Sequence, residues 1–412
     1  MNPRAELVST GAELLSGRSV NTHARLLGER LGQLGIALQR DTTVPDVIDT
    51  IQETVRDALQ RVDLVFVSGG LGPTNDDVTR DAVADLLGRR VVMDEASLHV
   101  LRERMTRAGR ALNPARERQA LIVEGAAALS NAVGAAPGER IEQEGKTLFL
   151  LPGPPPEFQA VLDDHVVPWL IERRVGDGAL PEELLLLYGL GEADIVQRFE
   201  SAGFPPDGVR TAYCAGAGRV EVRLLPEPGV GDEPLRAAAD RAAELLGADV
   251  YARERIELEA LVGGLLAEKQ LTLATAESCT GGLIGERITS VGGSSAYYLG
   301  GLISYADEVK VRELGVDADA LKRDGAVSEG VARQMAEGVR ERFGADVGLA
   351  VTGIAGPAGG TPEKPVGLVY IAVAHLRGTD IRRNVFPGDR HTIREWTCRA
   401  ALDLTRRALQ PA

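Results

Sequence analysis

The sequence predicts an α/β protein of three domains. Apolar runs of strand length alternate along the chain with segments whose apolar residues recur at helical spacing, which is typical of βαβ units around a mainly parallel sheet. Glycine is abundant (48 residues), while aromatic residues make up only 4% of the chain, as in α/β proteins with small-residue turns. Because 412 residues exceed one ordinary core of about 150 residues, we place domains at residues 1–170, 171–255 and 256–412.

Composition also limits the classes of function. The formal net charge of −14 argues against broad binding of nucleic-acid phosphates, which requires clustered Lys and Arg. The three cysteines, Cys214, Cys279 and Cys398, have neither zinc-site spacing nor the even number of a disulfide framework, which favours a reducing compartment. We find no signal-peptide pattern and no apolar run of about 20 residues. The sequence therefore predicts a cytoplasmic protein without a membrane span.

The first domain begins with a predicted strand at Glu6–Thr10. A helix is predicted at Asn21–Leu34, with Asn21 as its N-cap, and a second helix from Asp46 to about Arg61. The nearly continuous apolar run Val62–Val67 fits a strand buried on both faces. It leads directly into a glycine turn.

Three further elements complete this domain. They are a helix at about Glu95–Arg107, a glycine turn at 131–138 and a strand at Thr147–Leu151. The prolines of Pro152–Glu157 argue against helix and ladder hydrogen bonds, so a rigid loop is predicted there.

The glycine turn after Val67 is the first candidate site. Its glycines would let backbone N–H groups approach a diphosphate, and the two carboxylates that follow would hold a cation such as Mg²⁺. The predicted residues are Gly69, Gly70, Gly72 and Thr74, followed by Asp76 and Asp77. An Asp-rich helix N-terminus without any metal explains the two carboxylates alone equally well. Polar residues of other strand-end loops could converge on this turn, namely Glu13, Asn21, Asn131 and Glu157.

The middle region is predicted to be a smaller α/β unit. Strands are expected at Leu184–Tyr188 and Arg219–Leu225, and helices at about Glu192–Ala202 and Pro234–Leu246. This region contains no dense group of nucleophiles or metal ligands, so a spacer or dimer-supporting role is preferred.

The last domain is a second alternating unit. After a helix at 256–269, strands are expected near 271–276, 299–305, 346–352 and 367–374, alternating with helices near 283–290, 307–314, 328–343 and 391–409. Ligands of open α/β sheets bind beyond the carboxyl ends of the strands, where the glycine turns lie.

The turn Ala276–Gly282 is the second candidate site, because it places a hydroxyl and a thiol beside backbone N–H groups at a helix N-terminus. On the logic of a strand-to-helix turn, Ser278 is preferred over Cys279 as a nucleophile. The alternative is a plain helix cap, in which Ser or Thr satisfies unpaired N–H groups.

A nucleophilic serine needs a base. This domain has only His375, inside a predicted strand, and His391, at the start of a helix, so a Ser-His-Asp triad is weakly supported. Lys310 follows Tyr305 by about one helical turn, and a Ser-Lys or Ser-Tyr-Lys arrangement fits better. Taken alone, Lys310 is better explained as a solvated surface residue.

Two arginines suggest an anionic substrate. Arg390 and Arg394 lie one helical turn apart and can clamp a phosphate or simply face water. Together with the serine turn they indicate an amide or ester substrate that carries a phosphate.

These segments resemble the C-terminal domain of the CinA family, the nicotinamide mononucleotide (NMN) deamidases also called PncC-type enzymes. The matching blocks run in the family's order over nearly all of residues 256–412, at 276–282, Tyr305 with Lys310, 325–329, 350–357 and 359–367. The resemblance implies a three-layer α/β domain that hydrolyses NMN to nicotinate mononucleotide and ammonia, without a metal or other cofactor.

The resemblance also implies roles for single residues. Ser278 would be the nucleophile, and Lys310 with Tyr305 would activate it and protonate the ammonia. Backbone N–H groups of the turn would hold the oxyanion, from Cys279, Thr280, Gly281 and Gly282. The nucleotide pocket would be shaped by Thr352, Gly353, Gly356, Gly359 and Gly360, with Arg390 or Arg394 at the phosphate.

The first domain resembles the molybdopterin-binding-like domain of long CinA proteins, through residues 11–17 with Asn21, 69–77 and 151–157. Pro156 stands where the family more often has Ser, which puts a side-chain role of that loop in doubt. The resemblance implies a three-layer α/β fold that hydrolyses ADP-ribose to AMP and ribose 5-phosphate with a divalent metal, in which Asp76 and Asp77 would contact metal or phosphate. The middle region resembles the family's KH-like connecting domain.

The prediction is therefore a bifunctional homodimeric enzyme of pyridine-nucleotide salvage whose partners are the small molecules NMN and ADP-ribose, with no membrane and no nucleic acid. One alternative is an NMN deamidase with a non-catalytic pterin- or nucleotide-binding first domain. Another is a competence-associated interaction protein. Ammonia release from NMN favours the enzyme, whereas a salt-sensitive electrophoretic shift of DNA favours the interaction protein.

Overall fold

The computed structural model describes residues 3–173, 175, 181–216, 218–227 and 229–410. The chain forms two compact units, Met1–Leu180 and Pro181–Ala412. Strands and helices alternate in both units, and the predicted α/β class is confirmed. Within the described residues, no helix has the length and apolar character needed to cross a membrane.

The first unit is built around a six-stranded sheet with the strand order β2-β1-β3-β8-β7-β6. The strands of this unit are β1 (Arg4–Thr10), β2 (Ala37–Val44), β3 (Leu64–Ser68), β4 (Val91–Met93), β5 (Leu121–Val123), β6 (Ala127–Leu129), β7 (Gly138–Gln143) and β8 (Lys146–Leu151). Its helices are α1 (Ala12–Leu15), α2 (His23–Gly32), α3 (Ile48–Arg61), α4 (Thr79–Leu86), α5 (Glu95–Arg107), α6 (Pro114–Glu117), α7 (Pro155–Val161) and α8 (Val167–Glu172).

Strands β2, β1, β3 and β8 are parallel, so their carboxyl ends meet at one edge of the sheet. Every residue of β3 is buried, as predicted from its apolar run, because hydrophobic clusters cover both faces of the sheet.

Three local predictions in this unit were wrong. Thr22 occupies the N-cap position of α2, and Asn21 instead accepts a hydrogen bond from the His23 N–H through Oδ1. Helix α3 begins at Ile48 rather than at Asp46. Residues from Pro155 onward form helix α7 rather than a loop, because proline is tolerated in the first helical turn, where N–H groups have no intrahelical partner.

The second unit contains a four-stranded sheet, ordered β10-β11-β9-β12, and a five-stranded sheet, ordered β14-β13-β15-β16-β17. The smaller sheet comprises β9 (Glu183–Tyr188), β10 (Val209–Gly216), β11 (Arg219–Pro226) and β12 (Val250–Ala252), with helices α9 (Glu192–Ser201) and α10 (Asp232–Leu246). One face of this sheet packs on α9 and α10. Leu184, Leu186 and Tyr188 on the other face join the core of the larger sheet.

The larger sheet carries the second candidate site. Its strands are β13 (Leu273–Glu277), β14 (Tyr298–Ile303), β15 (Val347–Gly353), β16 (Leu368–His375) and β17 (Gly378–Val385). Its helices are α11 (Leu258–Glu268), α12 (Leu283–Thr289), α13 (Asp307–Leu314), α14 (Ala318–Asp324), α15 (Glu329–Phe343) and α16 (Arg390–Leu409). Strands β14, β13 and β15 are parallel, whereas β16 and β17 are antiparallel. Strand β17 and helix α14 were missed by the sequence analysis.

The two faces of this sheet pack against different helices. Ala274, Ala276 and Ala350 contact the cluster formed with α13, α14 and α15. The alternate residues, such as Leu273 and Val351, join the cluster formed with α11, α12 and α16. Because side chains alternate along a strand, this division decides which helices each residue at a strand end can reach.

Candidate functional sites

A cavity of about 520 Å³ lies at the carboxyl ends of the parallel strands of the first unit. Most of the residues predicted for this site line it, and Thr74 does not. The predicted residues in its wall are Glu13, Asn21, Gly69, Gly70, Gly72, Asp76, Asp77 and Glu157. The structure therefore brings the loops after β1, β2, β3 and β8 to one concave surface, the expected position for a ligand of an open α/β sheet.

The glycine turn leaves three backbone donors free within the described residues. The Gly69 N–H donates to Leu151 O at 3.1 Å, whereas the N–H groups of Gly70, Leu71 and Gly72 have no acceptor there. Gly69 and Gly70 have φ of 99° and 66°, a left-handed region that favours glycine. The buried Arg80 donates to Leu71 O at 3.4 Å and fixes the turn. Three successive free N–H groups can bind an anion.

Five carboxylate residues line this cavity, Glu13, Asp46, Asp76, Asp77 and Glu157, and the sequence analysis missed Asp46 as a site residue. Asp46 accepts a hydrogen bond from Ala12 N–H at 2.9 Å. The pKa of Asp46 is raised, first by burial and then by the negative charges of Glu13 and Asp76. Nothing in the local sequence marked Asp46 as a partner of these carboxylates, because their proximity depends on the packing of three separate loops.

Asp77 has a different position from Asp76. Its Oδ2 accepts hydrogen bonds from the Thr74 N–H at 2.8 Å and from the Thr74 hydroxyl at 2.5 Å. These two hydrogen bonds from Thr74 to one oxygen of Asp77 therefore hold the turn in place. Asp76 is the more exposed of the two carboxylates, and a hydrogen bond with the Thr74 side chain lowers its pKa.

Within the described residues, no group of three or more His, Cys, Asp or Glu side chains is arranged to hold a metal ion by itself. Mg²⁺ usually binds through one or two carboxylates, with the remaining ligands from water and substrate phosphates. The carboxylates beside the free N–H groups fit that donor set, in which the substrate would complete the site.

His23 and Ser68 form a buried pair in the same cavity wall, also missed by the sequence analysis. Ser68 Oγ lies 2.8 Å from His23 Nδ1, and the imidazole stacks on Phe158 with ring centroids 4.3 Å apart. Burial lowers the pKa of His23, so the neutral ring is favoured. Asn131, which was expected to converge on this cavity, instead donates to Glu157 Oε2 at 2.7 Å and orients that carboxylate.

The second candidate site begins at the end of β13. Ser278 is 8% exposed, and its N–H donates to Val351 O at 3.1 Å, so the parallel ladder continues one residue past the strand. By alternation, Ser278 faces the same side of the sheet as Ala274 and Ala276, toward α13. Helix α13 carries Lys310.

Cys279 points to the opposite side of the sheet. It belongs to the hydrophobic cluster formed with α11, α12 and α16 and is 5% exposed. Burial raises the pKa of Cys279 to about 12, which leaves it a thiol near neutral pH. Because the thiolate is the nucleophilic form, this environment favours Ser278.

The backbone N–H groups of the turn are only partly available, contrary to the sequence-based expectation. The buried carboxylate of Glu277 accepts hydrogen bonds from the N–H groups of Gly282, Ile284 and Gly285 at 2.9, 3.1 and 2.9 Å. The Gly281 N–H donates to Ser278 O at 3.2 Å. Within the described residues, only the N–H groups of Cys279 and Thr280 in this turn lack an acceptor.

Lys310 is buried, with 1% of its surface exposed, rather than solvated. Its Nζ donates to Tyr305 O at 3.0 Å and to Asp307 Oδ1 at 3.3 Å. No hydrogen bond joins Lys310 to Ser278 within the described residues. The Tyr305 side chain is exposed, and its hydroxyl accepts a hydrogen bond from Arg390 Nη2 at 3.0 Å. Lysine and tyrosine thus lie beside the serine turn without contacting the hydroxyl directly.

The two arginines connect the loops of this site. Arg394 donates to Thr280 O through Nε and Nη2, at 3.3 and 2.7 Å, whereas Arg390 donates to Gly356 O at 3.0 Å. Arg390 is exposed and Arg394 is half-buried, so Arg390 is the better placed of the two for an incoming phosphate.

The remaining predicted residues lie either at the end of β15 or in the loop that follows it. Thr352 is buried, and its hydroxyl donates to Ala326 O at 2.8 Å, while Gly353 ends β15. Gly359 and Gly360 are exposed, and no hydrogen bond joins them to the serine turn within the described residues. Their assignment to the nucleotide pocket stays a prediction.

Comparison with known proteins identifies both regions. Residues 6–172 match the family model described as "Probable molybdopterin binding domain", and residues 255–409 match that of the CinA C-terminal domain. A CinA-like protein of Akkermansia muciniphila is 44% identical over 405 residues, covering 97% of this chain and 96% of that protein. One of Geobacter sulfurreducens is 43% identical over 408 residues, covering 98% and 99%.

Among solved structures, the competence/damage inducible protein CihA of Agrobacterium tumefaciens is 38% identical, covering 38% of this chain and 99% of that chain, with a TM-score of 0.35. The two relatives extend over almost the full length of the chain at more than 40% identity. The chain therefore belongs to the CinA family and combines a molybdopterin-binding-like domain with a CinA C-terminal domain.

Proposed function

We propose that the second unit hydrolyses the carboxamide of NMN to nicotinate mononucleotide and ammonia, with Ser278 as nucleophile. The observation that carries this proposal is the division of the sheet faces. Ser278 lies on the side of α13, which holds the buried Lys310, whereas Cys279 lies in the opposite core as a thiol.

The residues suggest how the reaction would proceed. Ser278 Oγ attacks the carboxamide carbon and loses its proton toward the amine of Lys310, while the N–H groups of Cys279 and Thr280 donate to the developing oxyanion. The proton returns to the departing ammonia, and water hydrolyses the resulting acyl ester. Arg390 would bind the phosphate of the nucleotide.

The test is ammonia release from NMN by the purified chain in the presence of EDTA. We expect turnover by the wild type and by Cys279→Ala, and a loss of at least about 1,000-fold in Ser278→Ala, as for other serine nucleophiles. Circular dichroism checks that each variant is folded. An absence of ammonia with the wild type, or full activity of Ser278→Ala, would contradict the proposal.

For the first unit we propose metal-dependent hydrolysis of ADP-ribose to AMP and ribose 5-phosphate. The carrying observation is that the free N–H groups of Gly70, Leu71 and Gly72 adjoin the carboxylates of Glu13, Asp46 and Asp76 in one cavity. The N–H groups would bind diphosphate oxygens. Asp76 with the free oxygen of Asp77 would hold a divalent cation, which offsets the charge of the phosphates.

The test is AMP formation from ADP-ribose with Mg²⁺, compared with EDTA, for the wild type and Asp76→Asn. We expect product only with the metal, and a fall on the order of 100-fold in the variant, at the upper end of effects measured for residues that support metal ligands. Ammonia release from NMN serves as the internal control, because Asp76→Asn should leave it unchanged. AMP formation that persists in EDTA would contradict a metal-dependent mechanism.

A further inference from the structure

Ser304 lies beside the candidate nucleophile and has an unsatisfied hydroxyl. Its side chain is fully buried, with 0% exposure, and its Oγ has no hydrogen-bond partner among the residues that the structure describes. A buried hydroxyl without a partner destabilises the folded state, and such groups are uncommon in native proteins. The sequence analysis assigned Ser304 no role.

Strand register places Ser304 next to Ser278. Glu277 pairs with Ile303 at the last aligned position of β13 and β14, and the Ser304 N–H donates to Glu277 O at 2.8 Å. Adjacent strands lie about 4.8 Å apart. Since Leu302 packs on the α13 side of the sheet, alternation directs Ser304 to the same side as Ser278.

A third hydroxyl at this edge differs in its bonding. Thr352 follows Val351 on β15, the other neighbour of β13, and its hydroxyl donates to Ala326 O at 2.8 Å. Thr352 therefore has a structural partner, which Ser304 lacks. Thr280 in the serine turn has an equally buried and unpaired hydroxyl within the described residues, but Ser304 is the one that directly precedes Tyr305, whose carbonyl accepts from Lys310.

Lys310 bonds beside Ser304 in the chain, although its Nζ donates to neither serine hydroxyl within the described residues. Its Nζ donates to the carbonyl of Tyr305, the residue that directly follows Ser304, and has no hydrogen bond to Ser278. Ser278 and the amine of Lys310 thus share no hydrogen bond. Ser304 adjoins both, because its N–H bonds to Glu277 O, next to Ser278, and it directly precedes Tyr305, whose carbonyl accepts from Lys310. A rotation of χ1 can turn a serine hydroxyl toward either neighbour.

We propose that Ser304 is a proton-relay residue between Ser278 and Lys310, an inference that rests on the proposed serine mechanism. As Ser278 Oγ bonds to the electrophilic carbon, its proton passes to Ser304 Oγ, and the Ser304 proton passes to the amine of Lys310. The carbonyl π electrons move to oxygen and give the oxyanion. When the carbon–nitrogen bond breaks, Lys310 returns the proton and ammonia leaves.

The first test uses NMN turnover. Ser304→Ala should lower kcat by about 100-fold, the lower range of general acid–base effects, and leave KM unchanged because the buried hydroxyl does not contact the substrate. Ser304→Thr keeps a hydroxyl and should recover most of kcat. Thr405→Val is the matched control, since it removes a buried hydroxyl that bonds only to Ala401 O within α16.

The second test separates the relay from the choice of substrate. Phenylmethylsulfonyl fluoride forms a bond from Ser278 Oγ to sulfur and expels fluoride, and mass spectrometry of the Ser278 peptide gives the rate. In the wild type this rate should rise with pH, as expected when a general base removes the proton of Ser278. Ser304→Ala should slow labelling by about 100-fold and abolish that rise, whereas a merely structural loss would not remove the pH dependence.

The outcomes distinguish the two proposals. Ser304-dependent labelling without ammonia release from NMN would support the relay and reject the NMN assignment. Wild-type rates of both turnover and labelling in a folded Ser304→Ala variant would overturn the relay while leaving the assignment intact. An absence of Ser278 labelling in the wild type would overturn the relay, because Ser278 would then not be activated.

Discussion

The two glycine turns of this protein resemble each other in sequence but differ in what occupies their backbone donors. In the first unit, the N–H groups of Gly70, Leu71 and Gly72 have no acceptor in the described part of the chain and lie beside a cavity. In the second unit, the carboxylate of Glu277 accepts hydrogen bonds from three N–H groups at the start of α12. The first turn can bind the anion of a ligand. The N–H groups of the second turn instead bind the carboxylate of Glu277, and this turn carries the hydroxyl of Ser278.

This difference follows from one residue at the end of each central strand. Strand β3 ends in Ser68, whose hydroxyl pairs with His23, and no carboxylate side chain accepts from Gly70, Leu71 or Gly72 within the described residues. Strand β13 ends in Glu277, which reaches back to the following turn. A strand–glycine–helix pattern therefore predicts a site, but the preceding side chain decides between anion binding and support of a nucleophile.

The largest expected effect comes from filling the first turn. A Cβ at Gly70, which has φ of 66°, would overlap the hydroxyl of Thr79. Gly70→Ala should displace the free N–H groups and reduce AMP formation by about 100-fold, the effect of a misplacement near 1 Å. Gly88→Ala is the matched control, because φ is 64° and no atom lies within 4 Å of its Cβ position. Equal losses in both variants would show that backbone strain alone explains the effect.

A smaller effect is expected when the internal anion of the second turn is neutralised. Glu277→Gln replaces a carboxylate that accepts three hydrogen bonds with an amide, and should lower the free energy of unfolding by about 1–3 kcal/mol and ammonia release by about 10-fold. Urea denaturation and NMN turnover provide the measurements. Glu341→Gln, at an exposed position of α15, is the control. Stability equal to that of the control would contradict the anchoring role of Glu277.

The smallest effect on turnover is expected at Cys279. Because its pKa is raised to about 12, the thiolate forms only as pH rises toward that value, and Cys279→Ala should leave ammonia release almost unchanged. Iodoacetamide at pH 8 should label the exposed Cys214 and spare Cys279, with mass spectrometry of the two peptides as the readout. Rapid labelling of Cys279 at pH 8 would contradict this and make Cys279 a candidate nucleophile again.

Local pattern predicted the elements more reliably than their ends. The bounds of α5 and α13 are those expected from the sequence, because long amphipathic segments carry a strong periodic signal. The rigid loop predicted at Pro152–Glu157 was wrong from Pro155 onward, since proline is also permitted in a first helical turn. The edge strand β17 was missed, because partly exposed strands lack a continuous apolar run.

By itself, the sequence determined the α/β class, the two glycine turns at strand ends and the preference for Ser278, because these depend on residues that are near each other along the chain. Only the tertiary structure decided that Asp46 joins Glu13 and Asp76, that Glu277 fills the second turn and that Ser304 stands unpaired beside Ser278. These relations depend on strand register and loop packing, which bring together residues distant in sequence and choose the face on which each side chain is buried.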